Sequence, residues 1–326
     1  MRPLEKPLLL LAGLVLAAVA FCAAAQERWP VRPVRLVHGF TSGGSVDITA
    51  RLLAARLAET LAQPVIVDGR PGAGGTTGAN IVAKSEPDGY TLFLMASGHS
   101  TSPGLYRSLP YDPVADFALV SMVAANPFVL IASPKLPAKN VQELVKNAKA
   151  APGRIDYGTG GTGTGMHLAA VLFEARAGIR LNHVPYKGGT AAPSALLAGE
   201  VPLIFTTAAG VSQHVESGRL RALAVTTRSR FVLWPQVPTI AETVVPDFDV
   251  LGWYAVAAPA KLPAGLLQRV NQLVHEALKR PEVADKLLAL GAEVRPTTPA
   301  QAQAFVSQEV ARWTKVIREA NIPPQN

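Results

Sequence analysis

The feature that most limits what this chain can fold into is a unit that recurs along it. A short apolar run leads into a loop of Gly, Ser and Thr, and a helical run leaves it. Residues 34–37 enter His38-Gly39-Phe40-Thr41-Ser42-Gly43-Gly44-Ser45, and 47–61 follow as a helix with Ile48, Leu52, Leu53, Leu57 and Leu61 on one face. Residues 64–67 enter a Gly-rich loop over 70–78, with an Ala-rich helical run to Lys84. Residues 91–95 enter a polar loop over 97–103. Two apolar runs follow, 119–124 and 128–132, broken by Asn126-Pro127, which marks a candidate crossing point. The unit then restarts. A helix over 141–150 and a strand over 155–158 lead to the loop Thr159-Gly160-Gly161-Thr162-Gly163-Thr164-Gly165, with a helix over 166–177. Strands follow over 181–185, 203–207 and 220–226, the first running through a loop at 186–190 into another helix. Strand, loop and helix in alternation with short connections predict a parallel α/β sheet, whose ligands sit beyond the carboxyl ends of the strands.

The rest of the chain reads as a linker over 235–249, a strand over 253–257, and helices over 263–278, 281–290 and 299–320. In the last helix Val306, Val310, Trp313 and Ile317 form one apolar stripe. No sequence repeat of fixed period is present.

Residues 1–25 stand apart. Arg2 and Lys6 precede an apolar core over 8–21 and the small residues Ala23-Ala24-Ala25, the pattern of a secretory signal peptide cleaved after Ala25. The apolar run is short for a membrane span, so a soluble exported protein is expected. Cys22, the sole cysteine, lies inside that leader and follows Phe21 rather than a small residue, which argues against a lipid anchor. Disulfides and thiolate metal sites are then excluded from residues 26–326. Hydrophobic residues at 49% and charged residues at 17% provide a sizeable core. The leader's Arg2, Glu5 and Lys6 contribute +1 of the net +8, so residues 26–326 carry +7. No dense Lys/Arg run is present, so the charge suits solubility and anionic ligands better than nucleic acid.

The loop over 37–47 has three glycines, three hydroxyl residues and no lysine or arginine. On its own it reads first as an ordinary βα turn. Its second reading is an anion cradle, in which bare N–H groups and a helix N-terminus hold a carboxylate or phosphate without a cationic side chain. The loop over 159–165 repeats the arrangement. Two lobes with such loops facing each other would enclose an anion.

Enzyme chemistry finds little support. No Gly-x-Ser-x-Gly elbow occurs. The loop over 159–165 lacks the lysine of a nucleotide P-loop, and Gly72 to Gly78 matches a dinucleotide loop only weakly. The six histidines include no pair at i, i+3 or i+4, so no helical metal site is expected. Asp47 and His167 suit an acid–base pair, but each more simply caps or packs at a helix start. Tyr186 and Lys187 read as a half-buried tyrosine and a surface lysine.

One series of motifs is specific as a set. It opens with Trp29-Pro30-x-Arg32-Pro33, then Gly43-Gly44-x-x-Asp47-x-x-Ala50-Arg51, Arg70-Pro71-Gly72-Ala73-Gly74-Gly75 and Pro87-Asp88-Gly89-Tyr90-Thr91-Leu92. Leu105-Tyr106, Leu109-Pro110-Tyr111-Asp112-Pro113 and Asp116-Phe117 follow. Then come Tyr157, Gly161, Gly163, His167-Leu168-Ala169, His183-Val184-Pro185-Tyr186-Lys187-Gly188, Gly218-Arg219-Leu220-Arg221, Val237-Pro238-Thr239 and Trp253. In this order, over nearly all of the chain beyond the leader, the chain resembles the substrate-binding proteins of tripartite tricarboxylate transporters, the Bug family of periplasmic receptors.

That resemblance implies a two-lobed, flytrap-like periplasmic-binding-protein fold of type II, with a parallel-rich sheet in each lobe. Residues 26–125 and 249–326 would form lobe 1, and 126–248 lobe 2. It implies a monomer that captures a small organic acid and delivers it to membrane transporter subunits, with no cofactor, metal or nucleic acid. A ligand sensor for a two-component system and, less in keeping, an exported Rossmann-like enzyme are the alternatives. In the site it implies, Phe40, Thr41, Ser42, Gly43, Gly44 and Ser45 surround one carboxylate, with Asp47 bracing the loop. Ser97, His99 and Ser100 line the same side. Thr162, Thr164 and His167 meet the ligand's other end, with Gly188 and Thr206 beside them. The chain departs from the family in having Thr41-Ser42 where a proline-containing loop is usual, and Pro202 and Thr206 where acids are usual. Without an acid to pair with an ammonium, the expected ligand is a mono- or dicarboxylate without a positive charge, including aromatic ones.

Overall fold

The computed structural model describes residues 29–186 and 191–324. The expected leader and Gly188 lie outside the described residues. The first half builds β1 (Val34–His38), α1 (Ser45–Leu61), β2 (Val65–Gly69), α2 (Thr76–Ala83), β3 (Thr91–Ala96), α3 (Gly98–Leu105) and the long β4 (Phe117–Ala132). The second half builds α4 (Val141–Ala150), β5 (Asp156–Thr159), α5 (Gly165–Ala177), β6 (Asn182–Pro185), α6 (Ala191–Ala198), β7 (Leu203–Thr207), α7 (Ser212–Glu216), β8 (Arg221–Val225) and α8 (Ile240–Thr243). The chain ends with β9 (Leu251–Pro259), α9 (Ala264–Leu278), α10 (Pro281–Ala289), β10 (Glu293–Val294) and α11 (Pro299–Glu319).

The strands lie in the order β2-β1-β3-β9-β4-β7-β5-β6, with β8 and β10 also paired to β4. The pairs β1–β2, β1–β3, β5–β6 and β5–β7 are parallel, as the strand–loop–helix alternation requires. The centre differs: β9 returns late in the chain to lie antiparallel between β3 and β4, and β4 runs antiparallel to β7 and β8 as well. The sheet is therefore mixed, with parallel flanks and an antiparallel middle.

The two apolar runs around Asn126-Pro127 join into one strand. Pro127 does not break it, because β4 changes partners there. Residues up to Pro127 pair with β9, and Phe128–Ala132 pairs with β7. A residue without an N–H is tolerated where a ladder hands over. The polar stretch 97–103 is helical, not a loop. Ser100, Thr101 and Ser102 turn their hydroxyls back onto the carbonyls of Ser97 and Gly98 at 2.8–2.9 Å, which satisfies them locally. The Pro-rich stretch 235–249 also contains α8, started by a capping box between Thr239 and Glu242.

Both faces of the sheet are covered. Leu36, Leu92, Leu94 and Val256 bury against Leu53 and Leu57 of α1 and Val270 and Val274 of α9. On the opposite face Val37, Phe93, Met95 and Trp253 meet Ala302 and Val306 of α11. Further along α11, Trp313 and Ile317 join a separate cluster with Leu130, Tyr157, Phe173 and Phe205. The last helix thus packs on both groups of strands. The strand ends followed by the Gly/Ser/Thr loops point to one region.

Candidate functional site

The region beyond the carboxyl ends of β1, β3, β5 and β7 encloses a cavity of about 550 Å³. Phe40 and Thr41 line it from the β1–α1 loop, and Ser45 and Val46 from the first turn of α1. Ser97, Gly98, Thr101, Ser102 and Tyr106 line it from around α3. Gly160, Thr162, Gly163, Thr164, Gly165 and Met166 line it from the β5–α5 loop, with Thr207 at the end of β7. Asn126, Phe128, Gly252, Trp253 and Tyr254 come from the two strands that link the halves.

The first loop is held open by Asp47, whose carboxylate accepts from Gly43 N and Arg51 Nε at 2.9 Å and contacts His38 Nε2 at 3.1 Å. The bond from Arg51 lowers the Asp47 pKa against the opposing effect of burial, with Gly43 and His38 adding to it. Asp47 therefore stays ionised behind the loop rather than facing the cavity. Gly43, at φ +82°, takes a backbone conformation that a side chain would strain. Gly44 caps α1 and leaves the first-turn N–H groups of Ser45 and Val46 at the cavity. Tyr254 donates its hydroxyl to Ser45 Oγ at 3.0 Å, which leaves the serine proton available for an acceptor in the cavity.

The facing loop is built alike. Thr164 caps α5, accepting from His167 N at 3.3 Å and donating to Gly161 O at 2.8 Å. Gly163 donates its N–H to His167 Nδ1 at 3.1 Å, and the His167 ring stacks on His183 at 4.2 Å between centroids. Burial, with a smaller repulsion from His183, lowers the His167 pKa to about 4, so the ring is neutral and Nδ1 can accept. The start of α3 at Ser97-Gly98 adds a third helix N-terminus. Among the described residues no Lys, Arg, Asp, Glu or His lines the cavity. The walls offer N–H groups, hydroxyls and the positive ends of helix dipoles, which together suit an anion. Among the described residues no group of three or more His, Cys, Asp or Glu suits a metal.

Of the residues singled out from sequence, Phe40, Thr41, Ser45, Ser97, Thr162 and Thr164 line this cavity. Ser42, Gly43 and Gly44 are exposed in the turn beside it, and Asp47 stands behind it. His99 does not reach it. Its ring lies buried against Phe93, Tyr111 and Phe117, with Nε2 at 2.8 Å from Pro113 O, and burial lowers its pKa to about 4. Ser100 is buried on the Ser97 carbonyl, and His167 supports its loop from below. Thr206 is buried while its neighbour Thr207 lines the cavity, since successive strand residues face opposite ways. Gly188 lies outside the described residues. The reading missed Thr101, Ser102, Tyr106, Asn126, Thr207 and Tyr254. Asn126 and Tyr254 did carry a signal, as polar groups set in apolar strand runs.

In the second Gly-rich loop Gly74 lines the cavity, and the other contacts of the loop are packing contacts. A Cβ on Gly39 would lie 2.4 Å from Gly75 Cα, and one on Gly78 would lie 3.0 Å from Gly39 Cα. These glycines let two loop backbones touch, which accounts for them without a dinucleotide.

A family profile described as "Tripartite tricarboxylate transporter family receptor" matches residues 49–322. The protein BugT of Bordetella pertussis is 38% identical over 315 residues, covering 96% of this chain and 97% of that one. Among solved structures, Rpa4515 of R. palustris with adipate matches at TM-score 0.79 and 37% identity, covering 91% of this chain and all of the other. MatC of Rhodopseudomonas palustris with bound malate matches at TM-score 0.75 and 31% identity, covering 89% of this chain and all of the other.

Proposed function

Since this chain belongs to the tripartite tricarboxylate transporter receptor family, we propose that it is an extracytoplasmic receptor for a small organic carboxylate. The observation that carries the reading is a cavity faced by the starts of α1, α3 and α5 and by hydroxyls, with no Lys, Arg, Asp, Glu or His among the described residues that line it. One carboxylate would sit at Thr41, Ser45 and Ser97, and the ligand's other end at Thr162, beside Thr164, whose hydroxyl donates to Gly161 O and so shapes that wall. Asp47 and His167 act behind the loops that carry those groups. With no acidic side chain to meet an ammonium among the described residues that line it, the cavity favours acids without an amine.

In this reading residues 26–125 with 249–326 and residues 126–248 move as two lobes. The ligand holds them together, and membrane transporter subunits receive it from the closed form. Residues 1–25 direct export to the periplasm. Two findings on relatives lend support: structures of related receptors contain adipate and malate. Among the described residues no helix is long and apolar enough to cross a membrane.

The test is a thermal-shift screen on protein unfolded and refolded to strip carried ligand, against mono- and dicarboxylates, amino acids and nucleotides. A ligand at a hundredfold its Kd stabilises by about 2.7 kcal/mol, a readily visible rise in Tm. The expected outcome is a rise with one or a few carboxylates, adipate and malate among the probes. A rise with nucleotides alone would replace this reading with an enzyme, and a stronger response to an amino acid than to its deaminated analogue would remove the preference against amines.

A further inference from the structure

Asn126 is the amide side chain among the residues that line the cavity. It stands on β4 opposite Gly252 of β9, one residue before β4 exchanges β9 for β7. It is 6% exposed, and its Oδ1 is buried without a hydrogen-bond partner among the described residues. A buried carbonyl oxygen without a partner is destabilising, so the position asks for one. Gly252 leaves the amide its room, since a Cβ there would lie 2.8 Å from both Nδ2 and Oδ1.

The groups suited to a carboxylate stand elsewhere. Thr41, Ser45 and Ser97 are on one wall, and Thr162 with the start of α5 on the other. Asn126 lies on the strand between the two walls, where the middle of a bridging ligand would pass. An amide differs from those donors in offering an acceptor and a donor side by side, and a half-turn exchanges its ends. A hydroxyl matches both: it donates to Oδ1 and accepts from Nδ2. A methylene matches neither, and an ionised carboxylate only accepts.

We propose that Asn126 is a specificity-determining residue whose amide pairs with a hydroxyl carried between the ends of the ligand, so that the cavity selects hydroxy-substituted dicarboxylates over their unsubstituted parents. The proposal rests on the carboxylate reading above and deepens it.

The test is calorimetric titration of the refolded chain with two matched pairs, L-malate with succinate and 3-hydroxyglutarate with glutarate. Wild-type protein is expected to bind at least one hydroxy acid about tenfold tighter than its parent, the value of one well-made neutral hydrogen bond. Asn126→Ala removes the amide, and Gly252→Ala displaces it without altering its chemistry. Each is expected to bring that ratio close to one. The ratio compares two ligands on the same protein, so a lower folded fraction lowers both apparent stoichiometries and leaves the ratio alone. A ratio that survives both substitutions, or a wild type that favours the parents, overturns the proposal. Parents bound with an unmoved ratio count against Asn126 alone. No binding of any of the four acids by wild type counts against the carboxylate reading and removes this proposal with it.

Discussion

Asp47 shows how a residue can shape a cavity wall that it does not line. Its carboxylate joins Gly43 N, Arg51 and His38, and so fixes the turn that sets Thr41 and Ser45 at the cavity. Asp47→Ala leaves the Gly43 N–H and His38 without that partner. Carboxylate affinity is expected to fall about tenfold or more, with a stability loss of about 1–3 kcal/mol. Asp47→Asn keeps an acceptor for Gly43 and should fall between. Calorimetry on both variants checks this, and unchanged affinity in Asp47→Ala would mean the loop needs no brace. Titration gives a second expectation. Burial lowers the pKa values of His99, His167 and His183 to about 4. The unfolded chain takes up these protons near pH 6.5 and the folded chain only near 4, so the stability is whole above 6.5 and is lost as pH falls between those values. For fully buried His99 the interval is worth about 3 kcal/mol. Urea unfolding at pH 7 and 4.5 should show the fall, and His99→Gln should lessen it. Residue types were read from the chain more readily than their roles. Asp47 and His167 stood out as helix-start residues, but which of Thr206 and Thr207 faces the cavity depends on strand register, which β4 sets from more than seventy residues away.

At the scale of elements, helices with a 3.6-residue stripe and strands of apolar residues were legible, since their burial pattern is local. The start of α3 was not. Its Ser, Thr, Gly and Pro read as a loop, yet it is helical: its hydroxyls are satisfied on carbonyls of the same stretch, and Gly104 lets it approach α11. A Cβ on Gly104 would lie 2.7 Å from Ile317 Cδ1. The continuity of β4 was hidden for a similar reason, because Pro127 breaks a strand unless its partner changes there. The stripe of α11 was plain, but not that its two ends serve different clusters. Val306 packs beside Trp253 and Phe93, while Trp313 packs beside Leu130 and Tyr157, with its Nε1 donating to Glu309 at 2.9 Å. Trp313→Ala is expected to cost about 3–5 kcal/mol. Thr298→Ala, which removes the capping box at the helix start, should cost about 1 kcal/mol. Chemical denaturation of the two variants separates a lost core contact from a lost cap.

For the whole molecule, the arrangement of strands decides what binding can do. The two groups of strands share β4, and the chain returns through Val250, whose N–H bonds Thr226 O at 2.9 Å before β9 begins. Few backbone links therefore hold one group to the other around the cavity, while Thr41, Ser45 and Ser97 on one side and Thr162 and Thr164 on the other face the same space. A ligand that reaches both sides gains contacts only when they are close, and that differential affinity is what can shift an open–closed equilibrium. A monocarboxylate too short to reach the far wall has no such differential and should bind weakly without closing the protein. Small-angle scattering on refolded protein is the direct check. Saturation with a bound dicarboxylate should reduce the radius of gyration, and acetate should leave it unchanged. Equal compaction with both would mean that charge at one wall alone drives closure. No change with either would mean that the two groups of strands already hold one arrangement, and that binding leaves the shape of the molecule as it was.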